Sequence, residues 1–219
     1  MKTLAAVIPA LEKNRYSNEG DLMMFGELSL LEWKILQVKK VFQEDNIYVS
    51  TPSTKIEKVV KKYGINIIKR KKELEISEVI YQSVKGIISK HILWTHATSP
   101  FFSSKHYEKI IKSYFSLDTK LYDSIAASYE MRDYFIYNSA SLNFDIRKHI
   151  ERKHIDPVYK ITNGCFIAPK QIYLKYKKFY GIRPFLFNVN KFTSMEISDI
   201  DDNILAMDFI SIYFKNDLR

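Results

Sequence analysis

Short apolar runs alternate with longer amphipathic stretches along the first 130 residues. Ala5-Ala6-Val7-Ile8 is continuously apolar and stops at Pro9, the pattern of a buried strand that feeds a loop. Residues 11–20 are polar. In residues 29–42 apolar positions recur at helical spacing behind Ser29, a suitable N-cap, which predicts a helix. The alternation continues with a strand at 46–51 and a helix at 54–63. That helix carries Ile56, Val59, Val60 and Tyr63 at helical spacing and stops at Gly64. A strand at 65–68, a helix at 77–88 capped by Ser77, and a strand at 91–95 follow. A helix at 103–115, capped by Ser103 or Ser104, leads into a strand at 122–128. Strictly alternating strands and helices imply a parallel sheet with right-handed crossovers and helices on both faces. Residues 5–8, 47–50 and 92–95 should be neighbouring inner strands.

The pattern changes near Met131. Residues 134–137, 162–168 and 185–189 read as strands without helices between them, and the polar stretch 138–156 reads as an excursion or arm. Residues 169–180 and 201–214 read as helices. With no internal repeats or Pro/Gly-rich linkers, residues 1–219 are expected to form one α/β domain: a mixed, mostly parallel central sheet flanked by helices. Ligands of such domains sit beyond the carboxyl ends of the strands, here at the loop after Pro9. That loop contains one glycine, Gly20, and no glycine-rich cradle.

Composition narrows the classes. One cysteine, Cys165, excludes an internal disulfide framework. No stretch approaches the roughly 20 apolar residues of a membrane span, and the N-terminus enters a strand directly, so the expected location is the cytoplasm. The net charge of +9 is scattered over Lys39-Lys40, Lys61-Lys62, Lys69 to Lys72 and Lys177-Lys178. That distribution fits solvated helix faces and small anionic substrates. Charge alone supports a nucleic-acid module, since no aromatic-basic motif or helix-turn-helix accompanies it.

Seven short segments carry a resemblance. Ala6-Val7-Ile8-Pro9-Ala10 is similar to V-I-P-A-R, and Gly26-Glu27-Leu28-Ser29-Leu30-Leu31-Glu32-Trp33 to G-x-K-P-L-L-A-W. Val49-Ser50-Thr51 is similar to V-S-T-D, Arg70-Lys71-Lys72-Glu73-Leu74 to R-P-x-E-L, and Thr95-His96-Ala97-Thr98-Ser99-Pro100 to L-Q-P-T-S-P or Y-A-T-A-P. Thr162-Asn163-Gly164-Cys165-Phe166-Ile167 is similar to P-N-G-A-I-Y, and Ser194-Met195-Glu196-Ile197-Ser198 stands where S-I-D-I-D would. In this order and spacing, over nearly the whole chain, they resemble the CMP-sugar synthetases: the acylneuraminate cytidylyltransferases and their pseudaminic- and legionaminic-acid relatives.

The resemblance implies a nucleotide-diphospho-sugar transferase-like (glycosyltransferase-A-like) fold. It implies CTP-dependent activation of an anionic sugar acid with Mg²⁺ for surface glycan biosynthesis, in a homodimer joined through an arm near 131–160. Carried over residue by residue, Pro9, Ala10, Leu11, Arg15, Arg70, His96 and Ser99 would meet the nucleotide. Asn163 and Gly164 would meet the sugar, Glu196 and Asp199 the metal, and Arg15 and Glu196 would be catalytic. The chain also departs from the pattern. Leu11 replaces the strand-ending Arg, Gly20 and Asp21 fall where a Lys-Asn pair stands, and Ser198 replaces the second metal-position Asp. Two further readings stay open: a catalytically degenerate nucleotide-binding homologue, and a cytidylyltransferase for a phosphorylated or phosphonate acceptor.

Each candidate has an ordinary alternative. Lys13 and Arg15 are either phosphate ligands or exposed loop cations. Glu196 and Asp199 precede Asp201-Asp202, where acidic residues commonly cap a helix. His96 is either a nucleotide contact or a satisfied strand-end histidine. Thr98-Ser99-Pro100 is either a site turn or a helix entry, and Asn163-Gly164 either a sugar contact or a tight turn with glycine at positive φ.

Overall fold

A computed structural model describes residues 4–14 and 17–213, without the side chains of 211–213. Its strands are β1 (Leu4–Pro9), β2 (Met24–Phe25), β3 (Leu28–Ser29), β4 (Ile47–Thr51), β5 (Asn66–Lys69), β6 (His91–Trp94), β7 (Ser124–Met131), β8 (Ile136–Tyr137), β9 (Ala140–Ser141), β10 (Val158–Pro169) and β11 (Pro184–Asn188). Its helices are α1 (Leu30–Lys39), α2 (Thr54–Lys61), α3 (Ile76–Val84), α4 (Ser104–Phe115), α5 (Lys170–Tyr176) and α6 (Ile200–Tyr213). Seven strands form one sheet in the order β11-β7-β10-β6-β1-β4-β5. All pairings are parallel except those of β10, which runs against both β6 and β7. β4, β1 and β6 are adjacent inner strands, as the apolar runs predict.

The pleat divides the core. Ala6 and Ile8 of β1 face one layer with Leu31, Ile35 and Val38 of α1, Ile56 and Val60 of α2, and Ile110 of α4. Ala5 and Val7 face the other, with Val79, Ile80 and Val84 of α3 and Tyr173 of α5. Both faces of β1 are therefore buried, which is why its sequence is apolar without alternation. Each fully buried Ile or Leu here contributes about 1.5–3 kcal/mol. A third, smaller cluster joins Phe25, Trp33, Phe101, Ile197 and Ala206, seating α6 against the β2–β3 hairpin.

Local chemistry sets the boundaries. Ser29 and Glu32 form a reciprocal capping box at the start of α1. Ser103 caps α4, and Gly64 turns the chain at φ +69° after α2. Several expected boundaries move. α3 begins one residue before Ser77 with no side-chain cap. α5 stops at Tyr176 because Lys177 adopts a left-handed conformation. The strand expected at 134–137 shrinks to the small β8–β9 hairpin, paired only to itself. The segment 132–157 adds no strand to the seven-stranded sheet and leaves Ile136, Tyr137, Leu142 and Ile146 exposed.

Candidate active site at the strand ends

A cavity of about 500 Å³ opens at the carboxyl ends of β1, β5 and β6 and is lined on one side by the segment that precedes α6. Its first wall comes from β1 and the loop after it. Ala10 N–H donates to the Ser50 carbonyl (2.9 Å), extending the sheet one residue beyond Pro9. The polar loop is then pinched shut at its neck. Leu11 N–H donates to Asp21 Oδ2 (2.7 Å), and Asp21 N–H returns to the Leu11 carbonyl (2.8 Å). Gly20 sits in this neck at φ +53°, where a Cβ would lie 2.3 Å from the Leu11 carbonyl oxygen, so only glycine permits the closure. Glu12 is turned away onto the N-terminus of α2, accepting from the Ser53 hydroxyl.

Two charges of this wall are under tension. Burial pushes the Asp21 carboxyl up to about 6, opposed by the Leu11 N–H and the charge of Arg70. Arg70, which follows β5, is half-buried. Its Nε is buried and has no hydrogen-bond partner among the described residues. Burial draws the guanidinium down and the Asp21 carboxylate raises it. Glu73, beside it, holds positive φ (53°), a conformation uncommon for a residue with a side chain.

The second wall comes from β6, β10 and the approach to α6. The antiparallel register of β10 shifts between Ile161 and Phe166. Gly164 within this irregularity lies so close to Phe102 that a Cβ would stand 2.5 Å from the ring. Gly164 is there for this close approach and does not have positive φ, contrary to the tight-turn alternative. The irregularity presents Asn163 to the cavity, a common use of bulges beside functional sites. Asn163 grips Glu196 with both its groups, N–H to Oε1 (2.7 Å) and Nδ2 to Oε2 (3.0 Å). Ile197 N–H donates to the Thr98 carbonyl (2.8 Å), fixing the same segment to the 96–103 turn.

His96 is held from both sides. The Trp94 indole donates to Nε2 (3.1 Å), so Nδ1 carries the hydrogen and faces the Asn163 carbonyl (3.3 Å). Burial, with a smaller contribution from the charge of Lys34, draws its pKa down to about 4, and the ring is neutral at neutral pH.

The cavity thus brings together Pro9, Ala10, Leu11, Arg70, His96, Asn163 and Glu196. Gly164 lies behind Asn163. Ser99 is buried beneath the turn, with its carbonyl on Lys34, and does not line the cavity. Asp199 Oδ1 accepts from Asp202 N–H (2.8 Å) at the start of α6 and is likewise outside the lining. Arg15 lies outside the described residues. Asn14 and Asp21 line the cavity without having been singled out as candidates. The sequence signal for Asp21 is slight: an acidic residue directly after the loop's one glycine. No group of three His, Cys, Asp or Glu side chains placed to hold a metal occurs among the described residues, nor does a helix long and apolar enough to cross a membrane.

Comparison with known proteins places the chain as a whole. The cytidylyltransferase family model matches residues 21–209. The N-acylneuraminate cytidylyltransferase of Streptococcus agalactiae serotype III (strain NEM316) is 24% identical over 174 residues, covering 75% of this chain and 42% of that protein. The serotype Ia protein matches to the same extent. The chain therefore spans less than half the length of these curated relatives. Among solved structures, a CMP:2-keto-3-deoxy-manno-octonic acid synthetase complexed with CTP superposes with a TM-score of 0.75 at 10% identity, covering 96% of this chain and 99% of that one. A 4-diphosphocytidyl-2C-methyl-D-erythritol synthase from Anaerococcus prevotii gives 0.67 at 16% identity, covering 96% and 99%.

Proposed function

We propose that this chain, which belongs to the cytidylyltransferase family, binds CTP in the strand-end cavity and transfers its cytidylyl group to the anomeric hydroxyl of an anionic sugar acid. The bond from the anomeric oxygen to the α-phosphorus forms as the α-phosphorus bond to the α–β bridging oxygen breaks; the hydroxyl proton passes to solvent and pyrophosphate leaves. The observation that carries this reading is Arg70: a buried guanidinium nitrogen without a partner among the described residues, in a cavity at strand ends where nucleotides bind in such folds. A phosphate oxygen would satisfy it with a charge-assisted hydrogen bond. The sugar acid is favoured by the relatives that act on N-acylneuraminate, and the net charge of +9 suits an anionic substrate.

Arg15, which follows Asn14 in the sequence, would add charge beside the phosphates. Pro9, Ala10 and Leu11 would border the nucleotide. Asn163 commits its N–H groups to Glu196, and its Oδ1 is left to accept from a sugar hydroxyl. Mg²⁺, when bound, supplies positive charge to phosphate oxygens. The described lining sets Arg70 against Asp21, Glu73 and Glu196, which are not grouped to hold a metal by themselves; a divalent cation would arrive with the nucleotide and offset part of their negative charge. Glu196 would hold it, since each of its oxygens accepts one N–H and retains a lone pair. We place the protein in the cytoplasm. We take it to be a homodimer through the 131–160 arm, whose exposed Ile136, Tyr137, Leu142 and Ile146 suit an interface.

The test is pyrophosphate release from CTP against a panel of sugar acids, with and without Mg²⁺, together with calorimetry against CTP, ATP and GTP. Turnover with a sugar acid supports the reading, and turnover only with phosphorylated acceptors redirects it. No binding at millimolar CTP with Mg²⁺ overturns it. Binding without turnover identifies a nucleotide-binding homologue, the alternative that Leu11 and Gly20 favour.

A further inference from the structure

A buried charge lies beneath the cavity and is used by nothing described above. Lys34 projects from α1 into the core beside Ile35 and Val38, and is 0% exposed. Its Nζ lies 2.8 Å from the Ser99 carbonyl, 3.3 Å from the Phe102 carbonyl and 2.9 Å from Tyr107 Oη. The hydrogens of this network can be assigned by elimination. Thr95 Oγ1 is 2.7 Å from the Gly164 carbonyl, which only accepts, so the single Thr95 hydroxyl hydrogen points there. Thr95 Oγ1 is also 2.7 Å from Tyr107 Oη, so Tyr107 donates to Thr95. With its one hydrogen committed, Tyr107 accepts from Lys34. Two carbonyls and one phenol oxygen then require three N–H groups on Nζ, which an ammonium has and an amine lacks.

We propose that Lys34 is kept as a buried ammonium and acts as a positioning residue for the cavity. Through the one-way chain Lys34–Tyr107–Thr95–Gly164 it sets the irregularity in β10 where Asn163 grips Glu196. Through Ser99 and Phe102 it holds the 96–103 turn. The positioning role rests on the reading that Glu196 serves the reaction; the charge state does not.

The groups facing Nζ leave it without a carboxylate partner among the described residues. They are Tyr107 of α4 and Cys165 of β10, both pushed up by burial and therefore neutral, and the neutral His96 nearer the cavity. Burial draws Lys34 down to about 7. Loss of its proton would turn the Tyr107 hydrogen toward the amine and leave Tyr107 Oη and Thr95 Oγ1 facing each other with no hydrogen between. The chain resists that outcome, because two lone pairs 2.7 Å apart repel.

Selective ¹⁵N labelling of lysine side chains, followed by NMR across pH 5–9, reads the charge on Lys34 directly, with Lys34→Arg identifying its resonance. Lys34 should be an ammonium at pH 6, and the Asn163 side-chain amide should shift with the same midpoint. Tyr107→Phe should lower the Lys34 midpoint by about one pH unit, since an ammonium acceptor is lost. Thr95→Val should uncouple Asn163 from the Lys34 titration, and Thr95→Ser, which keeps the hydroxyl, should restore the coupling. A neutral Lys34 at pH 6 overturns the proposal. So does an Asn163 amide that ignores the Lys34 titration in the unaltered protein. Neither readout involves nucleotide, so a failure of CTP binding in calorimetry counts against the proposed function alone.

Discussion

The two walls of the cavity are built on opposite principles. The β1–β5 wall leaves capacity unmet: Arg70 Nε has no partner among the described residues, and Asp21 is buried and pushed toward neutrality. The β6–β10 wall is more fully satisfied, although the buried Ser99 hydroxyl in its turn has no partner among the described residues. Both ring nitrogens of His96 are engaged, both oxygens of Glu196 accept from Asn163, and the turn above is tied to Lys34 from below. An unmet buried donor costs roughly 1–3 kcal/mol until something binds it, so the first wall gains most from an anionic ligand. The second wall, whose site-facing groups His96, Asn163 and Glu196 are held by their own hydrogen bonds, offers a surface that orients. Binding strength and positioning are thereby divided between two parts of one sheet.

The sharpest break of this division is Glu196→Gln. It keeps the volume but removes a negative charge suited to a hard cation, and turnover should fall at least about 10²-fold, roughly 2.7 kcal/mol of transition-state stabilisation. One of the two Asn163 contacts becomes donor against donor. Stability should still stay within about 1 kcal/mol in chemical denaturation. Full activity in this variant would show that the metal is held elsewhere.

Arg70→Met retains the aliphatic stem and removes the unmet donor. CTP affinity should weaken by about 30-fold, as for loss of a charge-assisted hydrogen bond worth roughly 2 kcal/mol, with a smaller change in kcat. Calorimetry separates the two. An unchanged CTP affinity would place the phosphates on the other wall.

Asp21→Asn tests the tension in the first wall through pH. The folded-state pKa, about 6, lies above the ordinary aspartate value of 3.8. The folded protein therefore binds this proton more tightly than the unfolded chain does. The associated stability is fully present below about pH 4 and is lost as pH rises through about 6. The substituted amide cannot titrate, so that part of the pH dependence should vanish from the variant's unfolding curves. Removing a carboxylate near the phosphates should also tighten CTP binding about tenfold at pH 7.5 and hardly at all at pH 5. A wild-type CTP affinity that is flat across this range would show that Asp21 does not face the nucleotide.

The smallest effect is expected outside both walls. Asp202 Oδ2 accepts from the Ser198 N–H and hydroxyl (2.9 and 2.6 Å), and Asp199 caps the same helix end. Asp202→Asn should cost about 0.5–1 kcal/mol, visible as a drop of a few degrees in melting temperature, with near-normal turnover. A large loss of turnover would extend the site to the N-terminus of α6.

Particular residues mark how far the sequence could be read. Pro9 ending an apolar run and Ser29 ahead of α1 are local signals, and they fall where the structure has a strand end and a helix N-cap. The pocket position of Arg70 and Asn163 was accessible only through resemblance, because each reaches the cavity from a strand distant in sequence. Lys34 carried a faint signal: it shares the stripe of Leu31, Ile35 and Val38, a position where a lysine is out of place. Nothing in that periodicity says what would satisfy a lysine there. The limits of α5 and the small β8–β9 hairpin were not readable, since a left-handed Lys177 and a self-paired excursion depend on packing around them.

Alternating apolar runs thus determined the order of elements, the parallel inner strands and the burial of both faces of β1, because those depend on side-chain periodicity and short-range capping. Tertiary structure alone decided three things: that Asp21 closes the loop on Leu11, that Asn163 grips Glu196, and that three acceptors surround Lys34. Hydrogen bonds between residues far apart in the chain have no period to betray them. Their strength depends on burial that only the packed sheet supplies.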